Sequence, residues 1–221
     1  MAASALTQFV PHDLAAFIGA IDFPCVGAKA SLVRGKMFVL EAGRINEARD
    51  DARIYEAIAE FADRARADEL ISAAVLFRPA DLDEAAFEAA LWDRLQHLHE
   101  IDARNGVPWN ESVSADPKSE AFSFSIAGTA FFIVGTHPDA SRLSRRFSRP
   151  ALFFNSHDQF ERLKADGRYF AMQRAIRARD VALEGDVNPM LADFGMGLEA
   201  PQYSGRRVDA GWQCPFKAKT L

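Results

Sequence analysis

Residues 130–163 read AFFIVGTHPDASRLSRRFSRPALFFNSHDQFERL and contain the features that decide the fold. Two apolar runs, residues 131–134 (FFIV) and 151–154 (ALFF), are bounded by glycine and proline. Short continuous apolar runs are typical of strands in a sheet that helices cover on both faces, because both sides then need apolar side chains. The sequence therefore predicts two inner strands here, with polar functional groups gathered at the strand ends.

A histidine follows each of these predicted strands. His137 precedes a proline, which disfavours the helical conformation of the residue before it, so we expect His137 in an extended loop. His157 falls in the first turn of a predicted helix over residues 156–164, with Asn155 or Ser156 as its N-cap. Both junctions are candidate sites.

Four arginines lie between the two histidines, namely Arg142, Arg145, Arg146 and Arg149. A dense group of cations beside neutral imidazoles suits an anionic cofactor or substrate. Residue types alone do not show that these side chains bind a ligand. A single buried histidine is more often structural than a ligand, and arginine-rich segments are usually solvated.

Length and composition predict one soluble domain over residues 1–221. Hydrophobic residues make up 49% and charged residues 26% of the chain, which is ordinary for a globular protein. A net charge of -5 argues against a general nucleic-acid binder. No apolar run approaches the ~20 residues that span a bilayer, and the N-terminus does not resemble a signal peptide, so we expect a cytoplasmic protein without a membrane partner.

The rest of the chain alternates predicted helices and strands. Predicted helices cover residues 11–20, 46–67, a segment that begins near Asp81 or Asp83, and 169–183; predicted strands cover 32–33, 36–40, 69–77 and a hairpin of 122–126 with 130–134. This order predicts an α+β (mixed α/β) domain with a mixed sheet covered by helices. The glycine-rich and proline-rich C-terminal segment keeps large apolar residues, so we expect it to pack back over the domain.

The usual cofactor signatures are missing. The chain has no GxGxxG before a helix, no Walker A loop, no HExxH, no CxxC and no GxSxG. What remains is histidine, arginine and 18 phenylalanines. A b-type haem needs an imidazole on its iron, an apolar slot and cations for its propionates. Residues 130–163 contain the histidines, apolar residues and arginines that could supply them.

Several longer segments carry a family resemblance. Phe23-Pro24-Cys25 and Cys214-Pro215-Phe216 mirror each other near the two ends of the chain. The interior contains VGTHPDASRLSRRF from Val134, FNSHDQFERL from Phe154, IRARDVALEGDVNPML from Ile176 and QYSG from Gln202. Together these segments resemble the bacterial YqcI/YcgG family over nearly the whole chain. That family includes haem-dependent N-hydroxylases that oxidise free guanidino compounds such as arginine.

The resemblance implies roles for individual residues. The iron of haem b would be ligated by His157, with His137 as the second choice and otherwise a distal or structural residue. Asn155 or a backbone carbonyl would orient the imidazole of His157. A thiolate from Cys25 or Cys214 is the alternative ligand, although we expect both cysteines to be free thiols.

The same resemblance implies how charged groups are recognised. Arg142, Arg145 and Arg146 would hold the haem propionates or a substrate carboxylate. A guanidinium substrate needs a carboxylate partner, for which Asp193 and Glu199 are the candidates. Residues 195–201 (GMGLEAP) depart from the family pattern, which has an acidic residue and an arginine there. If this loop contacts the substrate, the substrate differs from that of family members with the usual loop.

The leading hypothesis is a haem-dependent monooxygenase that uses O2 and electrons from an unidentified reductase to N-hydroxylate a small guanidino or amino compound. One alternative is a non-catalytic haem carrier or gas sensor with the same pocket. Another is a haem-free protein that binds a small anion through its arginine cluster. Whether the protein forms a homodimer stays open.

Overall fold

The computed structural model describes residues 4–67, 70–191 and 193–219. Within these residues the helices are α1 (His12–Gly19), α2 (Val26–Val33), α3 (Asp51–Ala67), α4 (Glu84–Arg104), α5 (His157–Ala165) and α6 (Arg168–Glu184). The strands are β1 (Met37–Glu41), β2 (Ser72–Leu76), β3 (Phe124–Ile126), β4 (Thr129–Thr136) and β5 (Ala151–Ser156). Short 3₁₀ turns cover Ala48–Asp50, Leu143–Arg145 and Ala200–Gln202.

The strands form one mixed sheet in the order β1-β2-β5-β4-β3. β1 and β2 are parallel and are joined through α3, whereas the other neighbours are antiparallel. β3 and β4 form the predicted hairpin around Ala127 and Gly128, which both have positive φ, as a tight two-residue turn requires. The predicted α+β fold with a mixed sheet is confirmed.

The first face of the sheet carries the larger hydrophobic core. α3 and α4 pack on this face through apolar residues at helical spacing, among them Ile58 and Phe61 of α3 and Leu91 and Leu95 of α4. Asp83 begins α4 by accepting a hydrogen bond from the N–H of Ala86 at 2.8 Å.

The second face of the sheet is covered in two parts. α1 and α2 pack on β1 and β2, where Leu14, Ile18, Val39 and Leu76 form a smaller apolar cluster. α6 lies over β4 and β5, and two cavities separate it from the strands. Thr136 at the end of β4 and Asn155 near the end of β5 therefore face one of these cavities.

The C-terminal segment packs over the domain, as predicted. Tyr203 and Phe216 are buried in the core of the first face. The Glu88 carboxylate of α4 anchors the segment by accepting hydrogen bonds from Ser204, Arg206 and Trp212. No helix among the described residues is long and apolar enough to cross a membrane.

One predicted element is wrong. Residues 32–33, predicted as a strand, form the end of helix α2, which Cys25 begins by accepting the Ala28 N–H on its sulfur at 3.4 Å. Two apolar residues before a turn fit a helix end as well as a strand. Cysteine is not one of the residue types preferred at an N-cap, so Cys25 does not predict a helix start. Glu69, in the predicted strand 69–77, lies outside the described residues.

Candidate active site

The first cavity lies between β4, α5, α6, Leu191 and residues 193–203 and has a volume of about 200 Å³. Its walls are mainly apolar, and include Phe132, Phe160, Tyr169, Met172, Ile176 and Phe194. The polar side chains that reach it include both predicted carboxylates, Asp193 and Glu199, and one of the clustered arginines, Arg145. An apolar cavity with a few convergent polar groups is the usual form of a small-molecule site.

His157 is held beside this cavity by the junction of β5 and α5. Ser156 begins α5 by accepting the N–H of Asp158 at 3.2 Å, as one of the two predicted caps. The imidazole is 5% exposed. It stacks on Phe132 with ring centroids 3.7 Å apart and meets the edge of Phe194 at 4.7 Å. Its Nε2 atom is buried and has no hydrogen-bond partner.

Glu199 faces His157 across a short gap. The Glu199 carboxylate is 3% exposed, and its Oε1 atom accepts hydrogen bonds from the hydroxyls of Ser123 at 2.7 Å and Tyr203 at 2.6 Å. Its Oε2 atom lies 3.4 Å from His157 Nε2 and has no hydrogen-bond partner. Burial and the neighbouring carboxylate raise the pKa of Tyr203 well above 10, so the phenol remains a donor. Two fixed donors thus orient a buried carboxylate towards a buried imidazole.

Arg145 brings a positive charge to the same region. Its guanidinium donates hydrogen bonds to the main-chain oxygens of Gly135 at 3.0 Å, Gln202 at 3.2 Å and Tyr203 at 3.4 Å. Burial lowers its pKa to about 10. Across the described ranges no carboxylate lies within ion-pair distance of this side chain, although it lines both cavities. It remains a cation at neutral pH and is held by neutral acceptors.

The other two predicted arginines lie elsewhere and line neither cavity. Arg142 pairs with Asp180 at 3.0 Å, Asp186 at 2.9 Å and Glu184 at 3.8 Å. Arg146 is exposed and donates to main-chain oxygens of its own loop. These contacts direct Arg142 to the carboxylates of the α6 region and Arg146 to its own loop.

His137 is separated from His157. It is 1% exposed and stacks on Phe87 of α4, with ring centroids 4.4 Å apart. Burial lowers its pKa, so the ring is neutral at pH 7. Its Nδ1 atom has no hydrogen-bond partner. Neither histidine lines either cavity. His157 is the one that contacts residues of the first cavity, through Glu199 at 3.4 Å and the rings of Phe132 and Phe194.

Asp193 reaches the first cavity with its carboxylate already engaged. It accepts hydrogen bonds from Gln173 at 2.6 Å and from Arg177 at 2.8 Å, both on α6. Both hydrogen bonds go to the Oδ1 atom of Asp193. Asp193 differs from Glu199 in its basic partner, which is Arg177 for Asp193 and His157 for Glu199.

Asn155 and Cys25 line a second cavity of about 220 Å³ that adjoins the first. The Asn155 amide is hydrogen-bonded to the Ser72 hydroxyl at 2.7 Å and has no contact with His157 among the described hydrogen bonds. Cys214 packs instead against the core of the first face, and burial raises its pKa to about 12. The two cysteines are free thiols on opposite faces of the sheet.

Sequence reasoning missed the residues that orient Glu199. Tyr203 belongs to the QYSG segment, which the sequence marks only as a family motif, and Ser123 lies within the predicted strand 122–126, where alternation of apolar and polar residues does not identify a partner. Phe132 was read as part of an apolar run, although alternation along β4 places it against His157. Within the described residues, no group of three or more His, Cys, Asp or Glu side chains is arranged to hold a metal ion.

Comparisons with known proteins agree with the quoted segments. Over 142 residues the chain is 34% identical to a Streptomyces lavendulae protein named "Putative N(omega)-hydroxy-L-arginine synthase DcsA". The alignment covers 59% of this chain and 51% of that protein, so the chain spans about half of the relative's length. No solved structure matches significantly. The sequence profile of the YqcI/YcgG family matches residues 14–217, and the chain therefore belongs to the YqcI/YcgG family.

Proposed function

We propose that this protein is a haem-dependent monooxygenase that N-hydroxylates a small guanidino or amino compound. Two findings support the proposal: membership of the YqcI/YcgG family, and a relative whose name describes synthesis of N(omega)-hydroxy-L-arginine. The observation that carries it is the buried, unpartnered His157 Nε2 atom in an aromatic wall beside Glu199.

The residues of the first cavity, together with His157 behind Phe132 and Glu199, fit haem b in their chemistry. A buried imidazole nitrogen without a partner is unfavourable in the protein alone, and ligation to iron would satisfy it. The aromatic side chains of Phe132, Phe160 and Phe194 suit a flat apolar macrocycle. Arg145 would hold a carboxylate of the cofactor or the substrate. The haem would supply the activation of O2, with electrons from an external reductase.

The protein groups have separate tasks in this proposal. Glu199, held by Tyr203 and Ser123, offers its carboxylate to a guanidinium in the cavity. Phe160 and Tyr169 limit the access of water with their aromatic rings, and Lys164 already lies over the ring of Tyr169, 5.4 Å from its centroid. Water exclusion strengthens the attraction between Glu199 and a cationic substrate nitrogen.

The test is a spectrum of the protein expressed with a haem precursor, recorded oxidised and then reduced under CO. We expect a Soret band that His157→Ala removes and that His137→Ala retains. His12→Ala is the matched control, because His12 is exposed on α1. Full haem retention in the His157→Ala and His137→Ala double variant would refute the ligand assignment.

Turnover separates the proposal from its rivals. Incubation of the haem-loaded protein with L-arginine, O2 and a chemical or enzymatic reductant should yield an N-hydroxylated product, detected by mass spectrometry as a gain of one oxygen. Stable CO and O2 binding without turnover of any guanidino compound would favour a haem carrier or gas sensor. A blank spectrum after haem addition would favour the haem-free anion-binding protein, which the lack of a carboxylate partner for Arg145 also favours.

A further inference from the structure

The second cavity lies under the Phe23-Pro24-Cys25 segment. Its walls come from α1, the start of α2, the second face of β4 and β5, and α6. One side is apolar and aromatic, with Phe17, Phe23 and Phe153. The proposed hydroxylation assigns no task to this space, nor to the motif that forms one of its walls.

Arg145 supplies the charge of this cavity. Its guanidinium is held in place by three main-chain oxygens, so its orientation does not depend on a ligand. Arg145 is half-buried, and removing a cation from water without a nearby anion has a cost that neutral carbonyls compensate only in part. The guanidinium of Arg145 is therefore pre-oriented, as binding of an anion requires.

The other polar groups of the cavity are mainly hydrogen-bond donors. The Asn155 Oδ1 atom accepts from Ser72 at 2.7 Å, which turns the amide so that its NH2 group has no partner among the described residues. Thr136 is 2% exposed, lines the cavity, and its hydroxyl also has no hydrogen-bond partner. Asn155 is half-buried and the Thr136 hydroxyl is fully buried, and donors without partners in a cavity wall favour an acceptor from a ligand.

Asp180 is the carboxylate on the cavity wall, and it is already satisfied. It pairs with Arg142 at 3.0 Å and accepts the Asn188 N–H at 2.9 Å. Its charge is therefore compensated outside the cavity. The groups that remain to bind a ligand in this cavity are the Arg145 cation and the neutral donors of Asn155 and Thr136.

We propose that the second cavity binds the carboxylate of a small organic acid through Arg145, with Asn155 and Thr136 as additional donors. Val134, Arg145, Ile176 and Leu191 line both cavities. A molecule held by its carboxylate here can thus extend towards His157 and Glu199. If the proposed function holds, on which this step rests, that carboxylate belongs to the substrate rather than to a haem propionate.

The test compares acids with matched compounds that lack the carboxylate. Calorimetric titration of the purified protein uses L-arginine against agmatine, and 3-phenylpropanoate against 3-phenylpropanol. We expect each acid to bind at least about 10-fold more tightly than its counterpart, as one charge-assisted hydrogen bond allows. Arg145→Gln should abolish this preference. Arg146→Gln, an exposed arginine outside both cavities, is the control and should retain it.

A second variant covers the case in which Arg145→Gln does not fold. Asn155→Asp has nearly the same shape and keeps an acceptor for Ser72, but it places a negative charge where the carboxylate would bind. It should weaken both acids about 10-fold or more and leave the neutral 3-phenylpropanol unchanged, while the cation agmatine should bind no more weakly than to wild type. Equal affinity of wild type and Asn155→Asp for the acids would overturn the proposal, as would no saturable binding of either acid.

The haem spectrum of each variant identifies the source of the carboxylate. Loss of haem absorbance in Arg145→Gln together with an unchanged preference for the acids would assign Arg145 to a propionate and overturn the proposed subsite. Carboxylate binding by a protein that takes up no haem would refute the proposed monooxygenase while supporting the subsite.

Discussion

Replacement of Tyr203 by phenylalanine tests the buried network that orients Glu199. Tyr203 is 1% exposed, and its ring stacks on Trp92 with centroids 5.3 Å apart, a contact that phenylalanine keeps. The hydroxyl donates to Glu199 at 2.6 Å and accepts the Phe124 N–H at 2.9 Å. The substitution therefore removes two buried hydrogen bonds and little packing.

The size of the effect follows from those two bonds. A hydrogen bond to a charged group contributes about 1.5–3 kcal/mol, and a buried N–H left without an acceptor costs about 1–3 kcal/mol. Both bonds involve one hydroxyl, and the surrounding groups can partly rearrange when it is removed, so the two costs do not simply add. We expect the free energy of unfolding to fall by about 3 kcal/mol. For a chain of this length that corresponds to a fall in Tm of about 6–12 °C.

Urea unfolding and thermal melts of wild type and Tyr203→Phe measure this difference. Tyr169→Phe is the matched control, since the Tyr169 hydroxyl makes one long contact of 3.4 Å with Gln173 and is half-buried. It should cost less than about 1 kcal/mol. Because the pKa of Tyr203 is well above 10, the difference should be the same at pH 7 and pH 9. A Tyr203→Phe protein within about 1 kcal/mol of wild type would refute the reasoning.

Three further substitutions test the surroundings of the site. Gly135→Ala would place a Cβ 2.7 Å from the Leu91 side chain, so we expect a loss of about 1–3 kcal/mol in urea unfolding, and an unchanged midpoint would contradict the tight packing. Glu88→Gln removes the charge that anchors residues 204–212, and limited proteolysis should cleave there faster than in wild type, whereas equal rates would show that the anchor is dispensable. Burial lowers the pKa of His137 below 6.5, so the unfolded chain binds a proton before the folded chain does and stability should fall as the pH drops below 6.5. His137→Gln should reduce that slope, and only the part due to His99, whose pKa is lowered in the same direction, should remain; an unreduced slope would mean that His137 is protonated in the folded state.

Local signals predicted most of the fold. The apolar runs at 131–134 and 151–154 lie in β4 and β5, because short runs bounded by glycine and proline have few alternatives. Ser156 was one of two predicted caps of α5 because a cap needs only its own side chain and a nearby N–H. Such features depend on neighbours in sequence and can be recognised there.

The candidate site depended on contacts that the sequence does not display. Arg142 and Arg145 are three residues apart and chemically identical, yet one pairs with carboxylates of the α6 region and the other reaches both cavities. Glu199 was predicted to bind a guanidinium, but its hydrogen bond from Ser123 joins residues 76 positions apart. Only the tertiary fold decides such pairings.

The distribution of charge around Arg145 links the two cavities. The chain has 31 acidic and 26 basic residues, so carboxylates are not scarce. Arg142 and Arg149 each pair with at least two of them, whereas Arg145 meets main-chain oxygens alone among the described residues. A half-buried cation without an anion lowers stability, and a protein tolerates that cost most readily where a ligand removes it. The same cation lies between a donor-lined cavity and the cavity beside Glu199. A molecule with a carboxylate at one end and a guanidinium at the other would therefore engage Arg145 and Glu199 at once, whereas a simple anion or a simple cation would engage only one of them.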